Sequence, residues 1–457
     1  TIGSGAFSGC TALVSVELGN SVTTIDNYAF SECTALTSIK LPDSVITIGS
    51  GAFSGCTALV SVELGNSVTT IGSVAFSGCS ELSSIEIPAS VTSIGQNVFF
   101  GCTKLTAINV AEGNEVYSSQ DGVVFDKSGE VLCIFPTGRE GHYAVPSSTT
   151  KIGIKAFLDS VGLTSIDIPE SVTEIGERAF LKSNALTSVE LPSSVSSVGE
   201  YTFAGCEALT EITLGSSMTS VSSYMFSQCP ALTSVKIPES ITEIGYAAFS
   251  YCPALTSIKI PSSVTVISQF AFYGCTGLIS MEIPSSVTEI AVAAFSSCSN
   301  LTSVKIPSSV TSINQEAFFN CVALTSVEIP SSVTFIDNRA FGGCTGLTSV
   351  YYGAETLAEG SEGIFETWND VNIYEQATLY VRESALPQAE TVTPWCLFIH
   401  REAYDFDSAV AGIAADTTAP VEVYTLSGVK VAADTDALPT GIYIVRQGSD
   451  VRKIFVR

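Results

Sequence analysis

AFSGCTALVSVELGNSVTTIGSV, residues 52–74, decides the architecture. This unit is 23 residues long. Its phenylalanine recurs at Phe7, Phe30, Phe53, Phe76 and Phe99, then at Phe157, Phe180, Phe203, Phe226, Phe249, Phe272, Phe295, Phe318 and Phe341. Every step is 23 residues except Phe99 to Phe157, which is 58, or two periods of 23 plus 12. A fixed period in the twenties marks stacked supersecondary units that share one continuous core. Residues 2–25 and 48–71 are identical and lie two units apart, so rungs of the stack are interchangeable parts.

Within the unit, Leu59-x-x-Val62-x-Leu64 places three apolar side chains on one face of a strand, with Ser61 and Glu63 on the other. One such strand per rung makes a parallel sheet with an open outer face. Pro or Gly ends these strands at Pro42, Gly65, Pro88, Pro192, Pro238 and Pro330, since proline cannot donate to the next ladder bond. The β-branched pair Val68 and Ile71 predicts a second short strand. The residues before Ala-Phe are expected to make one helical turn that drops the ring into the core.

Twelve of the 14 cysteines stand three residues after a marker phenylalanine, from Cys10 to Cys344, and Ser160 and Ser183 take that place in two rungs. One small residue per rung in one register reads as a buried column of free thiols, each a compact hydrophobe with a weak S–H donor. In-register side chains point the same way and serine is tolerated, so disulfide pairing is not required. No histidine accompanies the column, and a tetrahedral zinc site needs ligands converging from several directions.

The regular pattern breaks at 110–150. There Asp121-Gly122 and Lys127-Ser128-Gly129 are turn signals around Val123–Phe125 and Val131–Phe135, which predicts a β-hairpin projecting from one rung. After Phe341 the pattern decays. Tyr351 and Tyr352 take an outward and an inward slot, and Trp395 lies in a segment that must cover the end of the stack. The expected organisation is a solenoid at 1–353 with its hairpin rung at 110–150, a cap at 354–408, a linker at 409–420 and a small antiparallel β domain at 421–457. The chain opens on Thr1-Ile2-Gly3, which matches the unit tail Thr70-Ile71-Gly72, so an N-terminal region with any cap and export signal is expected to precede it.

Composition narrows the function classes. The formal charge is −26, from 45 acidic and 19 basic residues, which argues against nucleic acid or an anionic membrane as partner. No stretch has the apolar length of a membrane-spanning helix. The two histidines, His142 and His400, sit in no motif with a serine or cysteine nucleophile, and no P-loop, H-E-x-x-H, G-x-G-x-x-G or C-x-x-C occurs. Acidic pairs such as Asp405-x-Asp407 and Asp434-x-Asp436 lack a calcium loop and read as solvated turns. No cofactor, metal or catalytic residue is assigned. One outward sheet column carries Glu17, Glu63, Glu86, Asp167, Glu190, Glu282 and Glu328, interleaved with Lys40, Lys236, Lys259 and Lys305. Mixed signs in one column predict a solvated face with cross-rung pairing; paired acid–base catalysis in a hydrolase is the remote alternative.

The unit AF-x-x-C-x-x-L-x-x-V/I-x-I-P-x-S-V-x-x-I resembles the BspA-like leucine-rich repeats of bacterial surface proteins, over residues 1–353. The inserted D-G-V-V-F-D-K-S-G-E-V-L is similar to a hairpin variant in that family. The cap, with Ala377-Thr378-Leu379-Tyr380-Val381 and Trp395, is similar to terminal segments of Bacteroidetes-type members, and departs from them at Val381-Arg382. The tail, through Val423-Tyr424, Gly428, Leu438-Pro439, Gly441-Ile442-Tyr443 and Val451-Arg452-Lys453, resembles a type IX (Por) secretion sorting segment. The resemblance implies a β-rich (α/β) solenoid, a right-handed superhelix of rungs with a parallel sheet. It also implies a secreted or outer-surface protein that adheres to host matrix proteins or other bacteria without catalysis.

One feature exceeds the repeat consensus. Tyr201, Tyr224, Tyr246, Tyr251, Phe270 and Tyr273 flank the marker phenylalanines of four consecutive rungs, in slots that elsewhere hold mostly Gly, Ser, Ala or charges. They form the candidate binding strip, since aromatics are enriched at interfaces and stack on sugars. The competing reading is padding between turns, which full burial of Tyr224 and Phe270 would establish. The partner expected is a surface or matrix protein; the alternative is a glycan, met by this strip and the hairpin.

Overall fold

The computed structural model describes residues 1–367 and 371–406 and, beyond them, the strands Val421–Thr425, Lys430–Val431, Gly441–Gln447 and Asp450–Val456. Each regular rung contributes two short strands to two parallel ladders. In one ladder Ser38–Lys40 pairs with Ser61–Glu63, Ser38 opposite Ser61 and Lys40 opposite Glu63. In the other, Thr24–Ile25, Thr47–Ile48, Thr70–Ile71 and Ser93–Ile94 lie side by side, with Ile25, Ile48 and Ile71 in register. The expected alternation is present: Val62 is buried while Ser61 and Glu63 are exposed. The chain is thus a β-rich solenoid, as its period requires.

The turn around the marker phenylalanine is not helical. Its backbone enters the left-handed region twice, two residues before and two residues after the ring, as at Tyr28 (φ 56°) and Glu32 (φ 58°) or Lys155 (φ 58°) and Asp159 (φ 59°). A helix would aim every N–H back at its own chain. Here alternate N–H groups serve the next rung. Tyr28 N donates to Ser50 O at 2.9 Å and Phe30 N to Ala52 O at 2.8 Å, while Ala29 N closes a local turn to Asp26 O at 3.2 Å. Left-handed backbone at a non-glycine residue costs about 1–2 kcal/mol, and the bond to the neighbouring rung offsets it.

Inside, the marker rings form two stacks, one from Phe7 to Phe99 and one from Phe157 to Phe341. Phe30–Phe53 and Phe53–Phe76 centroids are each 5.4 Å apart with nearly parallel planes. All 14 cysteines are free. The buried thiols have a shared role: Cys56 Sγ donates to Phe30 O at 3.1 Å, and Cys275 Sγ to Phe249 O at 3.0 Å, in each case 26 residues back. Ser183 Oγ makes the same bond to Phe157 O at 2.9 Å, which is why serine is tolerated in the column. Burial pushes the Cys56 thiol up to about 12, so it stays protonated and keeps its donor.

The insertion does not project. Tyr117–Gln120, Val123–Asp126 and Val131–Ile134 form an antiparallel meander, and Val131–Ile134 then pairs parallel with Lys151–Ile152 to restart the short-strand ladder. Val123, Val124 and Phe125 are buried, because alternate faces of this meander close two separate cores. Val124 belongs to the core running from Ile25 to Ile108, and Val123 and Phe125 to the core running on to Phe398. Phe135 takes the place of a marker ring, 4.8 Å from Phe157, with its N–H on Ala156 O at 2.7 Å.

Side chains splice the rungs on either side. Asp159 Oδ2 accepts from Gly101 N at 3.1 Å, and Lys155 Nζ donates to Gln96 Oε1 at 2.9 Å. Thr137 Oγ1 donates to Cys102 O at 2.7 Å. The buried hydroxyl of Ser160, first in the resumed thiol column, has no hydrogen-bond partner.

At the other end the sheet continues through the expected cap, in the order Ser326–Ile329, Ser349–Tyr352, Thr378–Val381, His400–Ala403. Phe365 extends the ring stack, 5.6 Å from Phe341. Trp395 is fully buried against Tyr352 and donates Nε1–H to Ala358 O at 2.8 Å. The tail strands Val421–Thr425, Lys430–Val431, Gly441–Gln447 and Asp450–Val456 form one antiparallel sheet. The expected linker at 409–420 lies outside the described residues.

Candidate functional site

The six aromatic residues singled out by the sequence come together on the edge made by the turns. Tyr201, Tyr224 and Phe270 occupy the left-handed position before their marker rings, each at φ 56–58°, and Tyr251 (φ 58°) occupies the one after. Bulky residues are unusual in this conformation. They are held there by the next rung: Tyr224 N donates to Tyr246 O at 2.8 Å and Tyr251 N to Tyr273 O at 2.7 Å. Neither Tyr224 nor Phe270 is fully buried, and Tyr246 and Tyr251 are exposed at 38% and 51%.

The rings touch in an unbroken line. Tyr201 stacks on Tyr224 at 4.3 Å, Tyr224 meets Tyr246 at 5.2 Å, and Tyr246 meets Phe270 at 5.5 Å. Phe270 then meets Tyr273 at 5.7 Å, and Tyr273 meets Tyr251 edge-on at 5.2 Å. Arg178 lies over Tyr201, 4.9 Å from its centroid, and adds a cation at one end. A hydrogen bond with Tyr273, reinforced by desolvation, raises the Tyr251 phenol above its ordinary value. The Tyr251 phenol thus stays neutral and acts as donor and acceptor.

Beyond Tyr251 the same edge is hollowed into a groove of about 640 Å³. Its walls are two columns, at the second and fourth residues after the marker ring: Asp159, Lys182, Gln228 and Tyr251 in one, and Glu207, Pro230, Pro253 and Thr276 in the other. Gly274 lets the Tyr251 ring lie down, since a Cβ there would sit 2.9 Å from the ring.

A second aromatic group was not singled out from sequence. Tyr351 and Tyr380 stack at 4.6 Å on the outer face of the sheet, Tyr404 meets Tyr351 edge-on at 5.0 Å, and Phe406 meets Tyr404 at 4.9 Å. Tyr351 was legible as an outward residue. Tyr380 was not, because it stands 29 residues on rather than 23.

The charged sheet column pairs across rungs as expected. Lys40–Glu63 is 2.7 Å and Lys305–Glu282 is 2.5 Å, both between exposed side chains that solvent screens, so neither pair contributes much to stability. Glu282, one of the carboxylates of that column, is thus an exposed partner of Lys305. His142 is exposed, 3.3 Å from Asp167 and 3.0 Å from Ser165 Oγ. Among the described residues no three His, Cys, Asp or Glu side chains converge on a metal position, and no helix is long and apolar enough to cross a membrane.

The chain matches the BspA type leucine rich repeat region in 6 copies, over residues 1–121, 141–256 and 242–370. A leucine-rich repeat protein from Bacteroides ovatus is similar in structure, with 27% identity over 77% of this chain and 82% of that one and a TM-score of 0.51. A leucine rich cell surface protein from Faecalibacterium prausnitzii is 32% identical over 66% of this chain and 68% of that one, with a TM-score of 0.41. A leucine-rich repeat protein from Eubacterium ventriosum is 23% identical over 70% and 80%, with a TM-score of 0.43. No curated protein matches.

Proposed function

The chain belongs to the BspA-type leucine-rich repeat family, and from that premise we propose that it is a non-catalytic recognition protein of the cell surface or its exterior, binding host matrix or bacterial surface proteins through its aromatic edge. Solenoids of this kind work by offering an extended surface rather than a catalytic pocket. The observation that carries the reading is the unbroken line of six rings from Tyr201 to Tyr251, partly exposed and anchored on rigid turns. Tyrosines held in one conformation lose little entropy on binding and supply the anchors of protein interfaces. Binding of the purified chain to immobilised matrix proteins tests it. The Tyr224→Ala/Phe270→Ala pair, both partly exposed, should keep the fold by circular dichroism and lose at least tenfold in affinity, about 1.4 kcal/mol. Unchanged binding would remove the belt from the interface.

The tail fits export of the Bacteroidetes type. Its short antiparallel sheet and its Gly441-Ile442-Tyr443 and Val451-Arg452-Lys453 motifs support a type IX sorting role. A reporter carrying residues 409–457 should reach the exterior of a type IX-competent host, and its retention in the periplasm would refute the assignment.

A further inference from the structure

We infer that the groove beside the belt is a second site, sharing only Tyr251 with it, which takes a neutral, extended oligosaccharide with one sugar per rung. It does not rest on the protein-binding reading. The groove crosses six rungs, from Asp159 to Thr276, and repeats the same pair of columns at the rung spacing. Marker rings beneath it are 5.1–5.9 Å apart between Phe180 and Phe272. A pyranose in an extended chain advances by about one rung, so successive sugars meet equivalent positions. An extended peptide advances about 3.3 Å per residue and falls out of step.

The backbone excludes strand addition as well. The N–H groups along the wall already serve the neighbouring rung: Gly205 to Ser227 O at 2.9 Å, Gln228 to Ser250 O at 2.8 Å, Tyr251 to Tyr273 O at 2.7 Å and Gly274 to Ser296 O at 2.8 Å. A peptide seeking main-chain bonds finds no free edge here. What remains for a ligand is side-chain chemistry. Gln228, Glu207, Lys182 and Thr276 offer donors and acceptors to hydroxyls, and the Tyr251 ring, lying across Gly274, offers a stacking face. Two carboxylates, Asp159 and Glu207, against one ammonium, Lys182, disfavour sulfated or uronic acid chains, and so does the charge of −26 on the whole molecule.

Isothermal titration of the whole chain with cellohexaose, mannohexaose and a heparin hexasaccharide tests this. At least one neutral hexasaccharide should bind saturably, its disaccharide at least tenfold more weakly, and the heparin fragment more weakly than the neutral chain. Tyr251→Ala and, separately, Gln228→Ala should each weaken the neutral hexasaccharide, Tyr251→Ala by tenfold or more, while Tyr224→Ala/Phe270→Ala leaves it unchanged. The second variant lies outside the belt, so loss of the groove and loss of the belt read out independently. No neutral binding, binding indifferent to both groove variants, or tighter heparin binding would each overturn the assignment. So would a matrix protein whose binding falls with Gln228→Ala while no sugar binds, since that makes the groove a protein surface.

Discussion

Phe249→Ala is expected to destabilise the chain by about 3–5 kcal/mol, the cost of truncating a buried phenylalanine that its surroundings cannot close over. Its ring has no exposure and is sandwiched between Phe226 at 5.3 Å and Phe272 at 5.2 Å. Collapse into the void would require two rungs to approach each other. Their spacing is held by main-chain bonds on both sides, Phe226 N to Ala248 O and Phe249 N to Ala271 O, each 2.8 Å. The cavity therefore persists and the lost stacking is not recovered. Phe7→Ala should cost less than half as much, because Phe7 is 37% exposed and stacks on Phe30 alone. Urea unfolding of the two variants side by side checks this, and equal losses would mean that the ring column is not the element that holds the rungs together.

The second large effect concerns the splice. The Thr137→Val/Asp159→Ala variant should unfold in two resolved steps, with the rungs from Ile25 to Ile108 opening first. A repeat array unfolds together only while the coupling between neighbours exceeds the difference in their intrinsic stabilities. Here the two cores are already distinct, lying on alternate faces of the meander, with Val124 in one and Val123 and Phe125 in the other. Across that seam the coupling rests on few bonds, among them Thr137 Oγ1 to Cys102 O, Asp159 to Gly101 N, Gly138 N to Leu105 O at 2.9 Å and Ile108 N to Gly122 O at 2.8 Å. Removing two of them takes away about 1–3 kcal/mol in all, since Asp159 is only partly buried. Hydrogen exchange should then show the amides of the first rungs losing protection at lower denaturant than those after Phe157. A single coincident transition in the variant would show that apolar contact of the meander, not these bonds, couples the blocks.

Much of this was open to reading in the chain, and the exceptions have physical causes. The 23-residue spacing places Phe, Cys, Leu and Val in their columns because identical rungs must bury identical faces. Phe135 and Phe365 escaped that reading, since insertion and cap shift their spacing while the ring stack accepts any phenylalanine delivered to the right height. The turn before Ala-Phe, expected to be helical, instead enters the left-handed region. Its left-handed backbone is imposed by hydrogen bonds to a rung 22 residues away, which local propensity does not register. The aromatic strip was visible for the opposite reason: tyrosine in slots usually held by small residues stands out from the period. Its ring-to-ring continuity, and the groove beside it, depend on three-dimensional spacing that no single rung contains.

The paired left-handed positions have a further consequence. Because the neighbouring rung dictates the backbone there, the residue type is nearly free, and Gly5, Tyr28, Lys155, Arg178, Ala247 and Glu316 all hold the same station. Each turn edge is therefore a ruled margin on which one character can be written per rung without disturbing the text inside. The present inscription is tyrosine over the middle rungs. Another could be set in its place, or moved along the axis, and the spine of phenylalanine and cysteine would carry it unchanged.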